Sequence, residues 1–410
     1  MAERVGAPSR PSSAETPSLR LVSAHIARVA LRVAYAPMKL LPTKRKVVMM
    51  SREHDSIPSD FDDLRLAIER ADPSVEVVML ARVVGDGPVE KVKYGAHLLR
   101  CMYHAATSRV LVVDTYSFVA SLLTHKRDLT VVQIWHAIGA LKKFGLSILG
   151  QSEGRDERMA RALRMHHGYD VVLASSEAAR LPYAEALGVD PEDVRILPLP
   201  RVDRVRDPER RRLARESVYA AHPELRGTRV ALYAPTFRMN GQVPVDLGEL
   251  RERLAAIGLH LVVKPHPLAP DRAEVDVTPD FSTLELLSVA DVFVTDYSTT
   301  IAEAALCAVP SYILAPDLDD YLDARGFYFD FVEGMPGPVV RDVESLVRAV
   351  AASAATIEGA ESFARRWVEI PGESEPRPGD APCADEIAAL VLAHVSRASA
   401  DESNANGLSR

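Results

Sequence analysis

Asp291-Val292-Phe293-Val294-Thr295-Asp296-Tyr297-Ser298-Thr299-Thr300-Ile301-Ala302-Glu303 reads as a buried strand, a sharp polar turn and the opening of a helix. Val292, Phe293 and Val294 form a short β-prone apolar run of the kind a parallel sheet buries on both faces. Ser298, Thr299 and Thr300 place hydroxyls and backbone N–H groups where a helix dipole begins, which suits an anion, and phosphate above all. The same residues also fit an ordinary capped helix. Thr300 and Glu303, three residues apart, have the spacing of a capping box.

The pattern repeats outward in both directions. Strands are expected at Lys46–Met50, Val75–Leu80, Val110–Val113, Val131–Trp135, Val171–Ala174 and Val194–Leu197, and again at Arg229–Tyr233, Leu259–Lys264, Val292–Thr295 and Ser311–Leu314. Helical patterns lie between them, for example Asp60–Ala71 and Glu157–His167. Strand then helix, repeated, means parallel sheets with helices on both faces. The charged segment Arg201–Arg226 breaks the alternation, so two doubly wound domains facing a cleft are expected. In such sheets ligands gather at the carboxyl ends of strands.

Composition fits this. The 410 residues suggest two to three domains, and 47% hydrophobic with 26% charged residues is ordinary globular content. Three scattered cysteines without a CxxC fit a reducing compartment and argue against a disulfide framework or a zinc knuckle. No apolar run is long enough to span a bilayer. The net charge of −8 disfavours nucleic acid as a partner. Residues 1–18 and the tail from Ser396 have the composition of disordered segments.

Against the acidic whole, Leu21–Lys46 carries Arg28, Arg32, Lys39, Lys44, Arg45 and Lys46 and no acid. Over 19–36 a helical stripe of Val22, Ile26, Val29 and Val33 runs beside His25, Arg28 and Arg32, and Pro37 ends it. Two readings fit. One is a helix lying on an anionic membrane surface, where each basic residue contributes about 1 kcal/mol. The other is a core-packing helix with a solvated basic face.

Four constellations follow expected strands. His136 comes after Gln133-Ile134-Trp135 and before a turn containing Gly139, Lys142 and Lys143, as a general base beside an anion site would. Arg238 follows the stiff Ala234-Pro235 turn and is a planar donor suited to phosphate. Lys264-Pro265-His266-Pro267 fixes a lysine and a histidine at a strand end. The fourth is the Ser298 turn with Glu303, whose carboxylate suits the two hydroxyls of a ribose. Each residue type also has an ordinary structural use: a strand-end histidine, a loop arginine, a cap. Together the cations and imidazoles suit chemistry on a diphosphate. GxGxxG and GxxxxGK[ST] are absent, which weakens dehydrogenase and P-loop readings. No glycosidase-type carboxylate pair or metal-ligand cluster stands out, so no metal is expected.

The ordered motifs Gln133-x-Trp135-His136, Pro200-Arg201-x-Asp203, Tyr233-Ala234-Pro235-Thr236-x-Arg238, Lys264-x-His266-Pro267, Thr295-Asp296-Tyr297-Ser298, Pro316-Asp317-Leu318-x-x-Tyr321 and Arg325-Gly326-Phe327-Tyr328-Phe329-Asp330 resemble the CDP-glycerol glycerophosphotransferase family. Its members prime and polymerise teichoic acids. The resemblance implies a GT-B-like α/β fold. It would comprise a membrane-contact segment (19–43), an acceptor-side Rossmann-like domain (44–207), a CDP-donor domain (208–370) and a C-terminal helix and tail (371–410).

It further implies transfer of a polyol phosphate, glycerol phosphate first, from a CDP-polyol to a hydroxyl of a lipid-linked polyprenyl glycan or poly(polyol phosphate), releasing CMP. The enzyme would act peripherally at the cytoplasmic face of the cell membrane. His136 would be the base and His266 would donate to the phosphate under attack. Arg238, Lys264, Ser298 and Thr299 would hold the diphosphate, Glu303 the ribose, and Lys142 and Lys143 acceptor or phosphate. No cofactor beyond the CDP-glycerol or CDP-ribitol donor is implied. Departures around His136, with one extra residue before the lysine, resemble a subgroup that includes ribitol-transferring and polymerising members. The rivals are a CDP-ribitol transferase, a GT-B nucleotide-sugar glycosyltransferase and a silent binding scaffold.

Overall fold

The computed structural model describes residues 17–53, 55–85, 87–236, 245–264, 281–372 and 377–407; for 17–19 and 397–407 it describes the backbone alone. It is an α/β protein that divides into two compact units. One contains 17–203 with 369–372 and 381–407, and the other contains 204–368 with 377–380.

The first unit holds six parallel strands: β1 (Lys46–Ser51), β2 (Glu76–Ala81), β3 (Val110–Val113), β4 (Thr130–Gln133), β5 (Val171–Ala174) and β6 (Val194–Ile196), in the spatial order β2-β1-β3-β4-β5-β6. The second holds five: β7 (Val230–Tyr233), β8 (His260–Val263), β9 (Val292–Thr295), β10 (Ser311–Leu314) and β11 (Val339–Val340), in the order β11-β10-β9-β7-β8. The expected doubly wound sheets are present, and β11 is an edge pair of residues too short to leave a periodic signal.

Both sheets are built from runs such as Val110–Val113 and Val292–Thr295, buried at every position. Burying each Val, Leu or Phe side chain of these runs contributes about 1.5–3 kcal/mol. Register is pinned from the opening stretch itself, because the Asp291 carboxylate accepts the Val230 N–H at 2.8 Å. In each sheet the chain reverses its direction of winding at one place, between β1 and β3 in the first unit and between β7 and β9 in the second. The carboxyl ends of those strand pairs are where such a sheet opens a ligand crevice.

Some expected elements end early. The helix starting at Glu157 stops at Ala162. Arg164 and His166 then take left-handed backbone angles that no helix continues through. The last helix, Pro382–Gly407, runs past Ser396, where composition suggested an unstructured tail. It belongs to the first unit, where Asp203 accepts the N–H groups of Cys383 and Ala384 at its start.

The helix Pro17–Met38 reverses the expected packing. Arg32 donates to the Leu122 carbonyl at 2.9 Å and Arg28 to that of Ala162 at 3.4 Å, while Tyr35 is buried against His125. Val22, Ile26, Val29 and Val33 point to solvent, Val33 at 68% exposure. Of the other basic residues, Lys46 is buried and bonded to Thr107, and Arg45 pairs with Asp72 at 2.6 Å. The apolar stripe, not the basic one, is the outward face. Among the described residues no helix is long and apolar enough to cross a membrane.

Candidate functional site

In the first unit the carboxyl edge of β4 carries His136. The strand stops at Gln133, two residues earlier than expected, because Trp135 adopts a left-handed φ of 59°. For an aromatic residue this is a strained conformation, of the kind that persists only when neighbours over-determine it. The buried Gln133 does so: its Oε1 accepts the Trp135 N–H at 2.8 Å while its Nε2 donates to the Thr115 carbonyl at 3.0 Å. Farther on, Gly139 at φ 71° donates to Ser175 Oγ at 2.8 Å, and the Tyr183 hydroxyl bonds the Ala137 carbonyl at 2.9 Å.

The result is a fixed imidazole. Trp135 stacks with both His136 and Phe144, with ring centroids 4.3 and 4.6 Å away, and His166 meets it edge-on. His136 Nδ1 lies 3.0 Å from the Asp114 main-chain carbonyl. A carbonyl only accepts, so Nδ1 carries the proton and Nε2 is the basic nitrogen of the neutral ring. His166 is buried and its pKa is pushed down to about 3, chiefly by desolvation and further by Arg155 and His136, so it stays neutral. Lys142 and Lys143 are half-buried on the segment between this turn and the 3-10 turn Gly145–Ile148.

Sequence reasoning assigned nothing to Asp114, which closes β3 beside this turn. It is buried, and its pKa is pushed up to about 7, chiefly by desolvation and also by Glu53, against hydrogen bonds from Ser51 and Thr115. Its signal was present: a carboxylate directly after a buried aliphatic strand, as at Thr295-Asp296.

In the second unit the β7–β9 crevice gathers the opening stretch. Asp296 is fully buried, and its Oδ1 accepts the Thr236 N–H at 2.8 Å, the Thr236 hydroxyl at 2.6 Å and the Tyr297 N–H at 2.6 Å. The loop after β7 is thereby tied to the turn after β9. The helix that follows, Thr300–Leu306, has Thr299 as its N-cap and no side-chain capping bond. Ser282 and Glu285 form a complete capping box elsewhere in the unit; Thr300 and Glu303 do not. Instead Ser298 Oγ donates to Thr300 Oγ1 at 3.0 Å. Ser298 and Thr299 therefore sit at the crevice edge, with the half-buried Glu303 one turn inside the helix.

The downstream motifs support this turn from behind. Tyr297 is buried, donates to Asp317 at 2.9 Å and stacks on Tyr321 at 3.7 Å, with Phe327 and Phe331 around it. Lys264 follows β8, its N–H donating to the Tyr233 carbonyl at 2.8 Å. Arg238 and His266 lie outside the described residues. Among the described residues no group of three or more His, Cys, Asp or Glu is arranged to hold a metal ion.

The model of the family described as CDP-Glycerol:Poly(glycerophosphate) glycerophosphotransferase matches residues 34–371. Teichoic acid ribitol-phosphate primase of Bacillus spizizenii is 32% identical over 357 residues, covering 83% of this chain and 92% of that protein. Teichoic acid glycerol-phosphate primase of Bacillus subtilis is 24% identical over 298 residues, covering 69% of this chain and 73% of that protein. Among solved structures, the wall teichoic acid polymerase TagF superposes with a TM-score of 0.67 at 18% identity, over 94% of this chain and 99% of that one. Two Rossmann-type units of this order make the architecture GT-B-like.

Proposed function

The chain belongs to the CDP-glycerol:poly(glycerophosphate) glycerophosphotransferase family, and from that premise we propose that it transfers a polyol phosphate from a CDP-polyol to a hydroxyl of a lipid-linked teichoic-acid-type acceptor. His136 Nε2 takes the proton of the acceptor hydroxyl. The oxygen attacks the phosphorus that carries the polyol, the bond from that phosphorus to the bridging oxygen breaks, and CMP leaves with the electron pair. Arg238, Lys264, His266 and the Ser298–Thr299 turn offset the charge that develops on the phosphoryl oxygens, as electrostatic catalysis of phosphoryl transfer requires. Glu303 takes the ribose hydroxyls, and Lys142 and Lys143 attract acceptor phosphate.

The observation that carries this reading is the His136 geometry: an imidazole held at a strand end with its tautomer set by the Asp114 carbonyl. The Ser298–Thr300 turn adds to it: Ser298 Oγ accepts the Thr300 N–H at 3.3 Å, but the Thr300–Glu303 capping box that would explain those residues without a ligand is not formed.

The polyol is the second question. Identity to the ribitol-phosphate primase, at 32%, exceeds that to the glycerol-phosphate primase, at 24%. This favours CDP-ribitol as donor ahead of the CDP-glycerol expected from the motifs alone. The outward apolar face of Pro17–Met38 supports a peripheral seat on the cytoplasmic face of the membrane.

Incubation with CDP-ribitol, CDP-glycerol and UDP-sugars plus a lipid-linked acceptor, with the nucleotide products identified, tests all of this. CMP from a CDP-polyol is expected. A nucleoside diphosphate as the only product would mean glycosyl transfer, and no CMP from either CDP-polyol would overturn the proposal.

A further inference from the structure

The winding reversal of the first sheet lies between β1 and β3, and the proposed chemistry at His136 does not employ the side chains that close those strands. They are Ser51 and Asp114, one step beyond the paired Met50 and Val113, followed by Arg52. Asp114 is 4% exposed, and its Oδ1 is buried with no hydrogen-bond partner. A carboxylate oxygen left this way is costly, and a donor brought by a ligand offsets that cost.

Arg52 lies across the same strand ends. It donates to the Tyr116 carbonyl at 2.7 Å and its guanidinium packs over the Phe118 ring at 4.3 Å, while its Nε is buried with no partner. A guanidinium held against an aromatic ring is pre-organised for an oxyanion. The main-chain carbonyl of Asp114 also holds His136, so a molecule in this crevice lies beside the proposed base.

We propose that Ser51, Arg52 and Asp114 form an acceptor subsite that takes a polyol-phosphate end, the carboxylate accepting a hydroxyl of the polyol and the guanidinium binding the adjacent phosphate. The assignment rests on the transferase reading, since it is that reaction which gives the first unit a hydroxyl-bearing acceptor. It names a substrate class for the β1–β3 crevice: a short polyhydroxylated chain that carries a phosphate.

The test is direct binding to the full chain, followed by ligand-observed NMR, with ribitol 5-phosphate, glycerol 3-phosphate, free ribitol and inorganic phosphate as probes. Saturable binding of a polyol phosphate is expected, weakened tenfold or more by Asp114→Asn and by Arg52→Gln, with melting temperatures checked alongside. Free ribitol should lose affinity in Asp114→Asn alone, and inorganic phosphate in Arg52→Gln alone. Unchanged binding in both variants, no saturable binding to the unsubstituted protein, or inorganic phosphate binding as tightly as the polyol phosphates would each overturn the proposal. Should Asp114→Asn fail to fold, Arg52→Gln and Ser51→Ala decide on the same readout. Because no turnover is needed, Asp114-dependent binding without CMP release would overturn the transferase reading and leave the subsite standing.

Discussion

One oxygen of Asp296 accepts three hydrogen bonds, two of them from Thr236, whose N–H and hydroxyl lie 2.8 and 2.6 Å away. Thr236 is sixty positions earlier in the chain, so this pair fixes the mouth of the second crevice from both sides. Charge-assisted bonds of this kind are stronger than neutral ones, and breaking them leaves buried donors unsatisfied.

Asp296→Ala is therefore expected to destabilise the second unit by about 2–4 kcal/mol. Thr236→Val, which keeps the backbone bond, should cost only about 1 kcal/mol. Urea unfolding of both variants checks the ranking, and equal costs would mean that the Thr236 N–H bond contributes little.

His136→Ala and His136→Gln should lower CMP release by about 10²–10⁴-fold, the range for loss of a general base. Circular dichroism should be unchanged. Near-wild-type rates in either variant would remove His136 from the chemistry.

Asp114 gives a pH signature of stability. Its carboxyl is raised in the folded state from 3.8 to about 7, with burial as the main cause and Glu53 next. Well below pH 3.8 the folded and unfolded forms are both protonated and nothing is lost. As pH rises toward 7 the unfolded form ionises first, so stability falls through that window and stays lower above it. Asp114→Asn should flatten this slope and gain about 2–4 kcal/mol at pH 8 but little at pH 4. Denaturant midpoints at the two pH values decide it; an equal effect at both would mean that the carboxyl is not raised.

The helix Pro17–Met38 makes a different prediction about lipid. Its arginines Arg28 and Arg32 are engaged with backbone carbonyls, so contact with a bilayer falls to Val22, Ile26, Val29 and Val33. Ile26→Glu with Val33→Glu should abolish liposome sedimentation while shifting stability by less than about 1 kcal/mol, as exposed substitutions do. Added salt should weaken binding only modestly, since few basic residues here face outward. Binding that collapses at moderate salt would return the interaction to charge.

These cases show what the chain discloses on reading. Strands such as Val110–Val113 and Val292–Thr295 were legible because a strand buried on both faces must be apolar throughout. The Trp135 turn was not, since its left-handed backbone depends on Gln133 and Thr115, and the latter lies on another strand end. Helical periodicity separated the stripes of Pro17–Met38 but carried no sign of which stripe meets the body. That sign came from the carbonyls of Leu122 and Ala162, about ninety and more than a hundred residues away. Asp114 stands at the same kind of strand end as Asp296, but the sequence places no further motif beside it.

The last helix sets a timetable for synthesis. Cys383, Ile387, Val391 and Val395 are fully buried in the first unit, yet they leave the ribosome about 180 residues after Asp203. At typical elongation rates the first sheet waits roughly ten to forty seconds with that apolar seat uncovered. The amino-terminal half of the nascent chain is thus its last part to be finished, and chaperones have that interval in which to engage it.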